Sequence, residues 1–283
     1  MTFKKIYIEI TNICNMDCSF CSKDIKKKRE LKLEEFEHVL RSIKPYTKYI
    51  CLHIKGEPFM HSKINDILNM CSKYNISVNI TTNGTLLEKN IDLIKTNDSI
   101  RQINISLHSF EKNGLVEDKY VESIVNSTKI ILENTDIIIC YRFWTLDDKI
   151  LKEKNKEMLN EIIGSLNLKL DSEYLNNDKK DIKLTKNLYL SKGKVFEWPS
   201  LHNSYFSTSG SCYGLKTHIG ILSDGTVVPC CLDSSGIIDL GNIFKESLDV
   251  ILNKKRVKDI LEQFSKNKKI ESLCQRCSFN KKR

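Results

Sequence analysis

The 283 residues hold no uninterrupted apolar run long enough to span a bilayer. The N-terminus, MTFKKIYIEITNIC, carries charge near its start, but Glu9 breaks its apolar run, so it fits neither a signal peptide nor an anchor. Together these absences predict no membrane association and a cytoplasmic address. The charge also lacks the arrangement of a nucleic-acid surface. Lys and Arg number 45 against 36 Asp and Glu, a net +9, yet the lysines interleave with acidic residues rather than gathering with aromatics. Most read as solvated surface, including the run Lys26, Lys27, Lys28 and Arg29, and nucleic acid is disfavoured as a partner.

Cysteine is what the chain has in excess. Eleven is an odd number, and without an export signal a disulfide framework is disfavoured and metal ligation favoured. Cys14, Cys18 and Cys21 form one group; Cys212, Cys230, Cys274 and Cys277 form a second. Cys51, Cys71, Cys140 and Cys231 read as small buried hydrophobes.

With 40% hydrophobic residues, the chain suffices for one large or two modest cored domains. Short apolar strands are expected at 6–10, 51–54, 77–81, 102–107 and 137–143, with a sixth at 166–170. Between them Phe36, Val39, Leu40 and Ile43 recur at helical spacing, and further helices are expected over 63–74, 86–95, 119–132 and 149–163. Repeated βα units of this length imply a parallel sheet with its functional loops at the C-terminal strand ends. The pattern changes after residue 170: DSEYLNNDKKDIKLTKN reads as a polar connector, and seven of the 11 glycines follow Leu190. GILSDGTVVPC reads as a hairpin turning at Ser223, Asp224 and Gly225, followed by a helix with Val257, Ile260, Leu261 and Phe264 on one face and the tail LCQRC. The expected fold is α/β, a partial (βα)6 TIM-like barrel over 1–170, a connector over 171–190 and a small β-hairpin/α domain over 191–283.

Three thiolates on one loop leave a metal position open for a ligand, whereas four close a tetrahedral metal or saturate a four-iron cluster. The first group follows strand 1, so an open, reactive site is expected at the mouth of the sheet. A structural zinc knuckle that borrows His53 or His61 is the alternative.

Cys14-x3-Cys18-x2-Cys21, with Phe20 before the last cysteine, resembles the cluster loop of the radical S-adenosylmethionine (SAM) superfamily. KGEP at 55–58 looks like that family's GGEP element, with Lys55 in place of its first glycine; the resemblance gives Gly56 and Glu57 to the SAM amino group. TTNG at 81–84 and SLHS at 106–109 resemble the elements after strands 3 and 4. Thr82 and Asn83 then belong to the cofactor site, Ser106 to the SAM ribose or carboxylate, and Arg142 to the carboxylate. Turn formation is the plainer role for Thr82, Asn83 and Ser106, and a surface ion pair for Arg142.

Cys212, Gly225 and Cys230, closed by Cys274-x2-Cys277, resemble the SPASM/Twitch auxiliary-cluster domain of many such enzymes. Fewer cysteines than a full SPASM pattern argue for a Twitch-like module with a single cluster, with glycine spacing favouring Cys230 over Cys231. A zinc ribbon is the alternative there. The resemblance implies two 4Fe-4S clusters and SAM as cofactors, an electron donor such as flavodoxin or ferredoxin, and cleavage of SAM to a 5′-deoxyadenosyl radical. That radical would abstract hydrogen from a small-molecule or peptidyl substrate, with the second cluster as electron acceptor. Related enzymes include aminocyclitol dehydrogenases and peptide maturases. Two other classes remain in view: a zinc-binding or nucleic-acid module, and a two-cluster electron carrier. Glu57, His108, Tyr141 and Glu197 are candidate bases by location.

Overall fold

The computed structural model describes residues 1–22, 27–107, 119–144, 152–168, 181–193 and 197–279. It divides into two compact units. One comprises Met1–Cys14, Phe20–Val78 and Phe196–Arg283, the other Asn15–Ser19 and Asn79–Val195.

In the first unit the parallel strands β1 (Lys5–Ile8) and β2 (Tyr49–Cys51) pair in the register Ile6 to Ile50. Helix α1 (Leu33–Ile43) separates them in sequence and buries Phe36, Val39, Leu40 and Ile43, the expected stripe. Each such side chain, removed from water, stabilises the fold by about 1.5–3 kcal/mol. The Lys32 N–H donates to the Glu35 carboxylate at 2.9 Å, closing the helix start. Helix α2 (Ile64–Lys73) follows β2 and buries Ile64, Ile67, Leu68 and Cys71. The expected hairpin forms: β8 (His218–Ile221) and β9 (Thr226–Val228) are antiparallel, and β10 (Gly241–Asn242) adds beyond β9. Strand β8 also pairs in parallel with β1, so the strand order is β10-β9-β8-β1-β2. The Glu9 carboxylate that interrupts the N-terminal apolar run is 1% exposed and accepts from the Ser223 hydroxyl at 2.8 Å, fastening the hairpin turn to the end of β1. Helices α6 (Leu248–Asn253), α7 (Lys255–Ser265) and α8 (Ser272–Gln275) complete this unit; α7 buries Val257, Ile260 and Phe264.

The second unit carries the strand order β3-β4-β5-β7-β6, with β3 over Ser77–Thr82, β4 over Ile100–Ser106, β5 over Ile138–Phe143, β6 over Asp181–Lys183 and β7 over Leu188–Lys192. Strands β4, β5 and β7 are parallel, and β6 closes the edge antiparallel to β7. Helix α4 (Tyr120–Asn134) buries Ile124, Thr128 and Ile131, and α5 (Lys152–Ser165) buries Leu159 and Ile162.

Several expectations are corrected. Strand β2 ends at Cys51, because the chain leaves the ladder before the KGEP turn, although Leu52 and Ile54 stay buried. The helix expected over 86–95 is a 3-10 turn (Glu88–Asn90) followed by a short α3 (Ile91–Thr96). Leu166 to Leu168 form a turn rather than strand 6, and 169–170 lie outside the described residues. The sixth parallel strand is β7 instead, straddling the end of the stretch read as a polar connector, where Leu188 and Leu190 are 0% and 1% exposed. Residues 1–14 and 20–78 form one compact unit with 196–283. No helix among the described residues is long and apolar enough to cross a membrane.

Candidate functional site

The loop after β1 has a rigid base. Asn12 fixes both its ends: its Oδ1 accepts from the Arg29 N–H at 2.8 Å and its Nδ2 donates to the Lys27 carbonyl at 3.0 Å. The Leu31 N–H donates to the Ile10 carbonyl at 2.8 Å. Above this base Cys14 is exposed, Cys18 buried, and Cys21 and Phe20 half-buried. KGEP docks directly on the loop. Gly56 has φ +78°, and a β-carbon there would drive into the Thr11 carbonyl oxygen and lie 2.9 Å from that of Ile13, so only glycine permits this approach. The Glu57 N–H donates to the same Ile13 carbonyl at 2.8 Å. The Glu57 carboxylate is 2% exposed and accepts from the Phe59 N–H at 3.2 Å. Lys55 is not among the residues with positive φ, so the departure from glycine there needs no special backbone.

His61 is not available to a knuckle: its Nε2 lies 2.9 Å from the Leu31 carbonyl and its Nδ1 accepts from the Lys63 N–H at 3.0 Å. Burial lowers its pKa, so the imidazole is held neutral. His53 packs edge-on to Tyr7, ring centroids 5.5 Å apart.

In the second unit, Asn15 of the cysteine loop joins the TTNG turn. Asn83 donates to Asn15 Oδ1 at 2.9 Å and accepts from the Thr85 N–H at 3.0 Å, while Asn15 donates to Thr85 Oγ1 at 2.8 Å. Thr82 Oγ1 accepts from the Gly84 N–H at 3.0 Å, and the Tyr120 hydroxyl donates to the Asn83 carbonyl at 2.6 Å. Asn12, Asn15, Thr85 and Tyr120 are thus contributors that spacing did not single out; the TNxC run just before Cys14 was the available signal. Ser106 and Arg142 are direct register partners at the C-terminal ends of β4 and β5, and the Arg142 guanidinium stacks 5.0 Å from the Trp144 ring centroid. His108 and Ser109 lie outside the described residues. Tyr141 fails as a base: it is 0% exposed, and its hydroxyl donates to Thr128 Oγ1 at 2.8 Å, against α4. Glu197 is exposed.

The second cysteine group lies wholly in the first unit. Cys212, Cys230, Cys274 and Cys277 line one cavity of about 140 Å³, and Cys231 lines it too, together with Tyr7, His218, Asp233 and Lys269. Burial first, and then the neighbouring Cys231, Cys212 and Cys274, push the Cys230 thiol well up; burial with Cys212 and Cys277 pushes Cys274 up to about 12. Cys231 lines the same cavity beside Tyr7, with Cys51 and Lys5 as further neighbours, and is pushed up to about 11 chiefly by burial. The Gly214 N–H donates to the Cys212 sulfur at 3.3 Å, the kind of contact that supports a ligating thiolate. Cys51, Cys71 and Cys140 are buried as expected, whereas Cys231 is half-buried beside the Ile54, Leu222 and Val228 cluster. All eleven cysteines stand as thiols. Among the described residues no three His, Cys, Asp or Glu side chains gather tightly enough for a single metal ion. A tetrahedral zinc, with Zn–S of about 2.3 Å, needs tighter convergence. Five thiols border one cavity, enough to supply the four ligands of a polynuclear cluster.

The sequence matches the model of the Radical SAM superfamily over residues 8–148 and that of an iron-sulfur cluster-binding domain, SPASM, over 212–278, the latter running from Cys212 to just past Cys277. The chain belongs to the radical SAM superfamily. This radical SAM enzyme is 26% identical over 290 residues to a probable GTP 3′,8-cyclase of Methanococcus aeolicus, covering 87% of this chain and 91% of that one. Among solved structures it resembles Streptococcus suis SuiB bound to S-adenosylmethionine, with TM-score 0.64, 19% identity, and 98% of this chain and 71% of that one covered. It also resembles BtrN in complex with AdoMet and 2-DOIA, with TM-score 0.62, 15% identity, and 98% and 94% covered. These likenesses establish the α/β, partial-barrel fold. The family carries SAM, a SAM-binding 4Fe-4S cluster and an auxiliary iron–sulfur cluster, and the donor sets described above fit them.

Proposed function

We propose that this radical SAM enzyme catalyses a net oxidation of a small-molecule or peptidyl substrate, with its second cluster as electron acceptor. The observation that carries this reading is the gathering of Cys212, Cys230, Cys274 and Cys277 around one cavity, which Cys231 also lines. Four thiolates leave no open iron for substrate, so such a cluster serves electron transfer rather than substrate binding. When bound, the two centres supply one-electron chemistry: reductive cleavage of SAM to a 5′-deoxyadenosyl radical at the first, and uptake of the electron left by substrate oxidation at the second.

The protein's part is positioning. In this reading Cys14, Cys18 and Cys21 hold the first cluster beside Phe20. Gly56 and Glu57 present backbone and carboxylate to the SAM amino group, and Ser106 and Arg142 engage its ribose and carboxylate. Thr82 and Asn83 shape the turn that steadies the loop. Cys212, Cys230, Cys274 and Cys277 hold the second cluster; Cys231 lines the same cavity, and the closeness of Cys230 to Cys212 and Cys274 supports it as the ligand. Flavodoxin or ferredoxin would supply the first electron.

The BtrN likeness supports screening small hydroxylated compounds first, and the SuiB likeness peptides second. Anaerobic assays of 5′-deoxyadenosine with dithionite and SAM test the division of labour. Cys14→Ala/Cys18→Ala/Cys21→Ala should abolish SAM cleavage, whereas Cys274→Ala/Cys277→Ala should keep it while abolishing substrate oxidation. Undiminished oxidation in the second variant refutes the acceptor role.

A further inference from the structure

Lys269 is 3% exposed, a burial seldom given to an ammonium without an anion beside it. It borders the cavity that Cys212, Cys230, Cys274 and Cys277 line. Among the described residues no carboxylate pairs with it. Its Nζ lies 5.4 Å from the Phe206 ring centroid, a cation–π contact that leaves its charge without a neutralising anion. Asp233 lines the same cavity but turns its oxygens to the N–H groups of Ile237 and Ile238 at 2.9 and 2.7 Å.

The backbone holds Lys269 in this position from both sides. Its N–H donates to the Thr208 carbonyl at 2.7 Å, and Gln275 Nε2 donates to its carbonyl at 2.9 Å. The N–H groups of Phe206 and Ser207 donate to the Gln275 carbonyl at 2.9 and 3.0 Å, tying the segment under the lysine to the helix that carries Cys274. Gly210, at φ +138°, leaves room for the stem: a β-carbon there would lie 2.7 Å from Lys269 Cε. The site thus contains a lysine whose backbone is fixed and whose side chain lines the same cavity as the four cysteines.

We propose that Lys269 is the built-in counter-charge of the second cluster and raises its reduction potential. The inference rests on the reading that the four cysteines hold a cluster. A cluster ligated by four thiolates is an anion that gains a further negative charge on reduction, so a cation fixed beside it in a poorly solvated cavity stabilises the reduced form more than the oxidised one. The same lysine compensates the thiolates when the cluster is inserted. Lys269 therefore biases the second site toward taking an electron.

The test uses the full-length chain with Cys14→Ala/Cys18→Ala/Cys21→Ala, so that only the second cluster is loaded, titrated with dithionite and followed by electron paramagnetic resonance. Adding Lys269→Met should lower the reduced-to-oxidised ratio at the parent's midpoint about tenfold, a shift of about 59 mV to more negative potential for one electron. Lys269→Arg, which keeps the charge, should stay near the parent. An unchanged midpoint in Lys269→Met overturns the proposal. If Lys269→Met fails to take up iron, Lys269→Arg decides: normal iron content and midpoint uphold the charge requirement, and loss in both overturns it. A parent with no reducible cluster signal overturns the cluster assignment itself, an outcome distinct from an unchanged midpoint.

Discussion

Gly56 and Asn83 show how single residues tie the SAM elements to the cysteine loop. At Gly56 both the positive φ and the contact with the Thr11 and Ile13 carbonyls forbid a side chain. Gly56→Ala is expected to cost about 1–3 kcal/mol in strain and to weaken SAM binding, because the loop must move to admit the methyl group. Equilibrium binding of SAM to the reconstituted protein, run beside a thermal melt, checks this; a variant that binds SAM like the parent would show that the loop tolerates the shift. Asn83 joins Asn15 and Thr85 through both ends of its amide. Asn83→Ala removes the bonds to the exposed partners Asn15 and Thr85, at about 0.5–1.5 kcal/mol each, and should slow SAM cleavage more than Asn83→Asp. Equal rates for parent and Asn83→Ala would separate the turn from the chemistry. The cysteine triplet and the GEP run were legible in sequence because metal ligation and a tight turn each demand particular residue types. The roles of Asn12, Asn15 and Lys269 were not, because each depends on a partner many residues away that only the fold brings near.

At the scale of elements, α1 and α2 were legible because their buried positions repeat at helical spacing. The hairpin was legible from its Ser-Asp-Gly turn, but its parallel pairing with β1 was not, since partners 213 residues apart (Lys5 to His218) leave no local trace. Strand β7 was hidden because only Leu188 and Leu190 of its five residues are deeply buried, within a stretch rich in Lys and Asp. Strand β5 supplies a pH test. Burial holds the Cys140 thiol up at about 11, against an ordinary value of 9.0. Its folded-state pKa is raised, so its contribution to stability is fully present below pH 9 and is lost as pH rises through about 11. By linkage this contribution amounts to about 2–3 kcal/mol. In urea titrations between about pH 8.5 and pH 11, the parent should therefore lose more stability than Cys140→Val, by an amount approaching that contribution. Parallel pH profiles for the two would place the thiol in water. On the same strand, Tyr141→Phe removes the bond to Thr128 and should cost about 1–3 kcal/mol without altering SAM cleavage.

Across the whole molecule, seven cysteines serve two sites of different kinds in the proposed reading. In that reading the three-cysteine loop leaves a position open, and four of the five cysteines lining the second cavity close it, with Lys269 beside them. That difference, rather than the fold alone, carries the functional reading, because one fold hosts many reactions. The class of chemistry was legible from cysteine spacing together with the strand-end motifs. The substrate was not, because the residues that would recognise it carry no spacing rule. The most direct measurement is iron and acid-labile sulfide in anaerobically prepared protein. The account predicts about eight of each per chain in the parent, and about four in both Cys14→Ala/Cys18→Ala/Cys21→Ala and Cys274→Ala/Cys277→Ala. Four of each in the parent, or zinc without sulfide, would contradict it.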